Sequence, residues 1–192
     1  MSCTLTFTGD IMCQIPQTAA CTTAHGYDYS PVFRHVRALL SGGDYLVGNL
    51  ETPIAGEQAG LSSAMYAFNT PVEFAEELRR VGFDLVSTAN NHCMDRGIEG
   101  LYATLDSLDK VGLAHVGTAR TPKERETPFI REIGGIRVGF VAYTYGTNAF
   151  AHHTFLQPGE EHAVNLFMPE ETLEGSIHLL DEDTIPALTQ AY

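Results

Sequence analysis

The chain has 192 residues, 44% of them hydrophobic and 18% charged, which is enough for one well-buried domain and argues against wholesale disorder. A formal net charge of −13 would repel nucleic-acid phosphates and anionic membrane alike, so neither is an expected partner. No stretch approaches the ~18 apolar residues of a membrane span. A strand pattern begins almost at the first residue, which leaves no room for a signal peptide and predicts a soluble chain as given.

In chain order, short apolar runs alternate with amphipathic segments, the pattern of an α/β protein built from βα units. Residues 5–8 read as a first strand ending at Gly9-Asp10. Cys3, Cys13, Cys21 and Cys93 form no CxxC pair or disulfide-scaffold spacing, so free thiols are expected, with a Cys13–Cys21 pair as the alternative. Ser30-Pro31 supplies an N-cap and a first-turn proline for a helix whose inward face is Val32, Phe33, Val36, Leu39 and Leu40. A second strand, residues 45–47, ends at Gly48-Asn49-Leu50-Glu51.

Residues 52–68, rich in Gly, Ala and Ser, form a long loop of the kind that often serves as a lid or binding loop. Thr70-Pro71-Val72-Glu73 reads as a capping box, and Phe74, Ala75, Leu78 and Val81 as the buried stripe of the helix after it, closed by Gly82. A third strand, residues 85–88, runs into Ala89-Asn90-Asn91-His92. Ile98, Leu101, Tyr102, Leu105, Leu108 and Val111 recur at helical spacing before Gly112. A short strand follows at residues 114–116. Residues 127–133 and 136–141 flank Gly134-Gly135 as a β-hairpin, its second strand long and central. The chain beyond Arg137 holds no Lys or Arg and accumulates acids from Glu160 to Asp183, read as a solvated acidic segment or a cation-attracting surface.

Three polar clusters fall at the carboxyl ends of the first three strands: Asp10, then Asn49 and Glu51, then Asn90, Asn91, His92 and Asp95. In an open α/β sheet the loops leaving those ends converge, and ligands bind there. Hard oxygen donors and one imidazole suit a divalent cation: Mn²⁺, Mg²⁺, Fe or Zn²⁺. Asp95 either orients His92 or caps the helix beginning near Ile98. Tyr145 and Asn148, past the hairpin, either bind substrate oxygens or belong to an ordinary turn around Gly146.

The stretches TFTGDIM, YLVGNLETPIAG, FNTPVEFAEELRRVGFDLVSTANNHCMDRG, HVGTAR and VGFVAYTYGTN appear in order between Leu5 and Asn148. Together they resemble the successive signatures of the CapA family of capsule and poly-γ-glutamate biosynthesis proteins. The most specific is ANNHxxDxG, residues 89–97. The resemblance implies a metallophosphatase-like α/β/β/α sandwich. It assigns residues 1–148 to the family core and residues 149–192 to an acidic loop and helix segment of the same domain, truncated before the natural domain ends.

By the same resemblance Asp10, Glu51 and Asn91 are metal ligands. His92 is the proton donor to a leaving oxygen. From their place at the strand ends, Asn49, Asn90, Tyr145 and Asn148 are candidate substrate contacts and Asp95 a candidate catalytic partner of His92. An anionic polymer or phosphate-like substrate, a membrane synthase complex and self-association are the implied partners. Such proteins commonly work at the cell surface, often through an anchor. Three departures stand out. Met12 occupies the position of the superfamily's DxH histidine, Glu51 replaces an aspartate, and histidine motifs of the HWG and GHHPH kind have no counterpart. His152, His153, His162 and His178 lie in the wrong context to replace them and read as surface or loop residues.

Overall fold

The computed structural model describes residues 2–64 and 67–167. The acidic run from Glu170 to Asp183, His178 and the side chain of His152 lie outside the described residues. Four parallel strands form the main sheet in the order β1-β4-β5-β6: β1 Leu5–Ile11, β4 Tyr45–Leu50, β5 Leu85–Ser87 and β6 Ala114–Val116. Between β1 and β4 come α1 Ile15–Cys21, a small ribbon of β2 Thr22–Thr23 and β3 Gly26–Tyr27, and the single turns α2 Ser30–Phe33 and α3 Arg37–Leu40. Helix α4 Glu73–Val81 precedes β5, and α5 Gly97–Val111 links β5 to β6. Then follow α6 Pro122–Glu126, the hairpin β7 Phe129–Ile133 and β8 Ile136–Phe140, and the turn α7 Ala149–His152. The chain is thus an α/β protein with a parallel sheet flanked by helices.

Alternation along the strands sorts the two faces. Leu46, Leu50 and Val86 turn one way and join Ile11, Tyr29, Phe74, Leu78 and Phe83 in the main core. That burial is the chief reason α4 and the α2–α3 segment lie where they do. Val47, Leu85 and Ser87 turn the other way, lining a cleft of about 490 Å³ closed partly by Phe140 at the end of β8 and by residues 141–143 after it. A second cluster joins Met94, Leu101 and Leu105 to Ala163 and Val164. There the chain returns to bridge Thr118 with Val164 and Thr144 with Leu166.

Several expectations are corrected. The first strand does not stop at Gly9: the register steps from Phe7 opposite Val47 to Asp10 opposite Asn49, so Thr8-Gly9 is a bulge and β1 runs on to Ile11. β4 likewise runs to Leu50 rather than ending at Val47. The helix expected over residues 30–40 is broken into two turns at Arg34–Val36. Phe33 and Leu40 reach the core while Val32, Val36 and Leu39 remain exposed. Two β-branched residues in so short a run give little to offset the cost of helix nucleation, and packing two anchors decides the path. Ser30 is the first helical residue of α2, and its amide is taken by the Asp28 carboxylate at 2.9 Å.

Thr70 forms no capping box: its hydroxyl turns to Thr52 Oγ1 at 3.2 Å, and α4 begins at Glu73. The expected stripe of α4 is nonetheless buried, and Gly82 closes it at φ 115°, a left-handed conformation suited to glycine. Gly134 and Gly135 both have positive φ and make the predicted two-residue turn, but among the described residues β7 and β8 pair only with each other, so there β8 is not a central strand. All four cysteines are free thiols. Among the described residues no helix is long and apolar enough to cross a membrane.

Candidate active site

The bulge in β1 sets Asp10 beside Asn49, and β4 delivers Glu51 two residues further on the same side. The Glu51 amide continues the ladder to the Ile11 carbonyl at 3.1 Å. One nitrogen, Asn49 Nδ2, donates to Asp10 Oδ1 at 2.9 Å and to Glu51 Oε2 at 2.6 Å. The Asn49 oxygen in turn accepts from Ser87 Oγ at 2.9 Å and Asn90 Nδ2 at 3.3 Å. Asn90 is fixed further by donation to the Leu50 carbonyl and by accepting the His92 amide. Side chains from β1, β4, β5 and the turn after β5 therefore form one hydrogen-bonded unit.

His92 and Asp95 stand against it. His92 Nδ1 lies 2.9 Å from Asp95 Oδ2, which fixes Nδ1 as the protonated nitrogen in the neutral ring. Nε2 then faces Glu51 Oε1 at 4.0 Å. Asp95 also accepts the Phe68 amide at 2.9 Å, and the Phe68 ring packs on His92 with centroids 4.6 Å apart. Asp95 therefore orients His92 rather than capping α5, whose N-cap position is Arg96. Glu51, His92 and Asp95 are all buried, at 7%, 6% and 4% exposure, while Asp10 is exposed. Burial first, and the Asp10 charge second, push the Glu51 carboxyl above the ordinary glutamate range.

The described parts of the long loop expected before α4 form a wall of this site. Buried Asn69 donates to the Gly56 and Gly60 carbonyls and accepts the Ala55 and Thr70 amides. The Arg96 guanidinium takes the Leu61 and Ala67 carbonyls. Ser87 and Phe68 belong to the site without having stood out in the sequence. Ser87 is legible afterwards, two residues beyond Leu85 on the same face; Phe68 carried no signal.

Asn91 lies in the turn between Asn90 and His92, half-buried, and its side chain makes no hydrogen bond among the described residues. Tyr145 is exposed, and Asn148 adopts φ 56° with its Nδ2 buried and lacking a hydrogen-bond partner among those residues. No hydrogen bond among them links Tyr145 or Asn148 to Asp10, Asn49 or Glu51. His162 bonds the Arg120 carbonyl at 2.9 Å and exposed His153 caps α7, as loop residues do. Among the described residues, no three His, Cys, Asp or Glu side chains cluster as a metal site. What the donor set offers is two carboxylates within reach of one amide nitrogen. That fits a hard, largely hydrated divalent cation better than a transition metal demanding imidazoles.

A parallel α/β sheet with carboxylates, amides and an Asp-supported histidine gathered at its strand ends is the class of protein this geometry defines. The chain belongs to the bacterial capsule synthesis protein family PGA_cap, whose model matches residues 4–183. It is 30% identical over 159 residues to the Capsule biosynthesis protein CapA of Bacillus anthracis, covering 81% of this chain and 38% of that protein. It is 26% identical over 140 residues to the PGA biosynthesis protein CapA of Bacillus subtilis strain 168, covering 72% of this chain and 36% of that one. The chain thus spans well under half the length of these relatives.

Proposed function

We propose that the chain carries part of a divalent-cation-dependent hydrolase or transferase centre that acts in capsule or poly-γ-glutamate biosynthesis, on an anionic polymer or a phosphate-like group. The observation that carries the reading is the coupling of the Asp10–Asn49–Glu51 unit to the His92–Asp95 pair across 4.0 Å. Asp10 and Glu51, with Asn91 from the adjoining turn, would hold the cation. When bound, it would supply charge neutralisation at the reacting centre and a more acidic water.

The chain's own residues do the rest. Asp95 holds the His92 ring by Nδ1, so proton exchange with a leaving or attacking oxygen falls to Nε2. Phe68 covers the ring's face and limits water on that side. Asn49 keeps two like charges together by donating to both, which lets them remain side by side before a cation arrives. The whole protein's place in a membrane synthase complex, and its self-association, belong to the same proposal.

The test is capsule output from cells whose gene carries His92→Ala. The catalytic reading expects turnover to fall ~10²–10⁴-fold and cell-bound polymer with it, while Asp95→Asn gives a smaller loss through the misplaced ring. Normal capsule in the His92→Ala strain, with capsule lost on Asp10→Asn, would contradict catalysis. It would make the site a cation-dependent polymer-binding surface of a non-catalytic subunit.

A further inference from the structure

Between the carboxyl end of β1 and the turns α2 and α3 lies a pocket of about 310 Å³. Most of its wall is apolar, including Ile11, Met12, Phe33, Leu40 and Phe83, and among the described residues Asp10 is its one charged lining residue. The same Asp10 accepts the Asn49 amide, so the pocket is continuous with the carboxylate unit. Two further observations mark it as more than a packing defect. Val32 and Val36, which the hydrophobic pattern assigns to a core, instead line this open space at 44% and 41% exposure. Tyr29, only 2% exposed, also lines it, and its hydroxyl has no hydrogen-bond partner among the described residues.

We propose that this pocket is the subsite for an apolar arm, the size of a phenyl ring on a short alkyl chain, carried by the molecule whose polar head engages Asp10 and Glu51. This rests on the reading of those carboxylates as the place where a cation meets the substrate's polar head. The charge pattern narrows the arm's chemistry. With one carboxylate and no Lys, Arg or His in the wall among the described residues, an anionic group inside would be desolvated and repelled. The arm is therefore uncharged. The substrate is then amphipathic: a polar head at the strand ends and an apolar part beside β1, with burial of the latter supplying affinity that a small polar head lacks.

Three probes differing only in the head group test this on the metal-free 192-residue chain: 4-phenylbutylamine, 4-phenylbutan-1-ol and 4-phenylbutanoate, followed by amide chemical shifts. The expected result is one saturable site shifting Met12, Phe33 and Val36, with the amine bound most tightly and the carboxylate most weakly. Asp10→Asn removes most of that amine-to-carboxylate difference. Val36→Asp, at an exposed position, weakens the alcohol by about tenfold or more, and Val32→Asp does the same if the first variant folds poorly. If Mn²⁺ fails to bind while the alcohol does, the cation reading falls and the pocket stands. Absence of a saturable site, equal binding of the alcohol by the Val36→Asp and Val32→Asp variants, or a probe order untouched by Asp10→Asn would overturn the subsite.

Discussion

Glu51 shows how one buried carboxylate couples the site to stability. Because its folded-state proton affinity is raised, the folded chain binds more protons than the unfolded chain between the ordinary glutamate range and the raised value. Stability of the metal-free chain therefore falls as pH rises through that window and stays lower above it. Glu51→Gln should remove this slope and raise the melting temperature at neutral pH while changing little at pH 3. Asp10→Asn should remove part of it, since the Asp10 charge is the second cause of the shift. Thermal unfolding across pH checks both; a wild-type curve that rises through the window, matched by Glu51→Gln, would contradict the assignment. At this scale Asp10, Glu51 and His92 were legible because each follows an apolar run that ends in polar residues. The bridging role of Asn49 was not, because it depends on a bulge that no residue spacing announces.

Elements with a strong period were legible in the sequence, and those decided by tertiary packing were not. The stripe of α4, the 15-residue α5 and the Gly134-Gly135 turn follow from spacing and glycine alone. The broken α2–α3 segment looked equally periodic, but Phe33 and Leu40 are pulled into the core without the rest of the face. α1 was invisible because its Ile-Pro-Gln-Thr-Ala-Ala-Cys sequence has no apolar repeat. Gly48 expresses the same lesson within β4. A Cβ there would lie 2.5 Å from Ile11 Cδ1, 2.7 Å from Thr8 Oγ1 and 2.8 Å from Phe83 Cε1, so the strand packs only with glycine at that place. Gly48→Ala should destabilise the chain by about 1–3 kcal/mol in urea unfolding and loosen the neighbouring carboxylates. An unchanged midpoint would show that β1 and Phe83 can move apart at little cost.

At the scale of the whole molecule, the sheet is covered on one face and, among the described residues, open on the other. Phe7 is 63% exposed, Val141 83% and Tyr143 48%, all along the cleft between the main sheet and the segment after β8. Exposed apolar surface next to the edge strand β1 favours association. The 192-residue chain should show concentration-dependent association in sedimentation, reduced by Phe7→Ser with Val141→Ser; a monomer at all concentrations would contradict this. The parallel sheet flanked by helices agrees with the α/β expectation, whereas the second layer of the sandwich implied by the family resemblance is not formed among the described residues. Sequence alternation marks β-strand residues as two-faced but not what covers each face.

The central claim is that Asp10 and Glu51, held together by Asn49, form a cation site served by His92. Calorimetric titration of Mn²⁺ into the 192-residue chain tests it most directly. The account predicts a single weak site, emptied by dialysis, because two carboxylates and water make up most of the shell. Asp10→Asn and Glu51→Gln should each weaken it by about tenfold or more, and His92→Ala should leave it nearly unchanged. Absence of saturable binding, or binding that survives both carboxylate substitutions, would contradict the account.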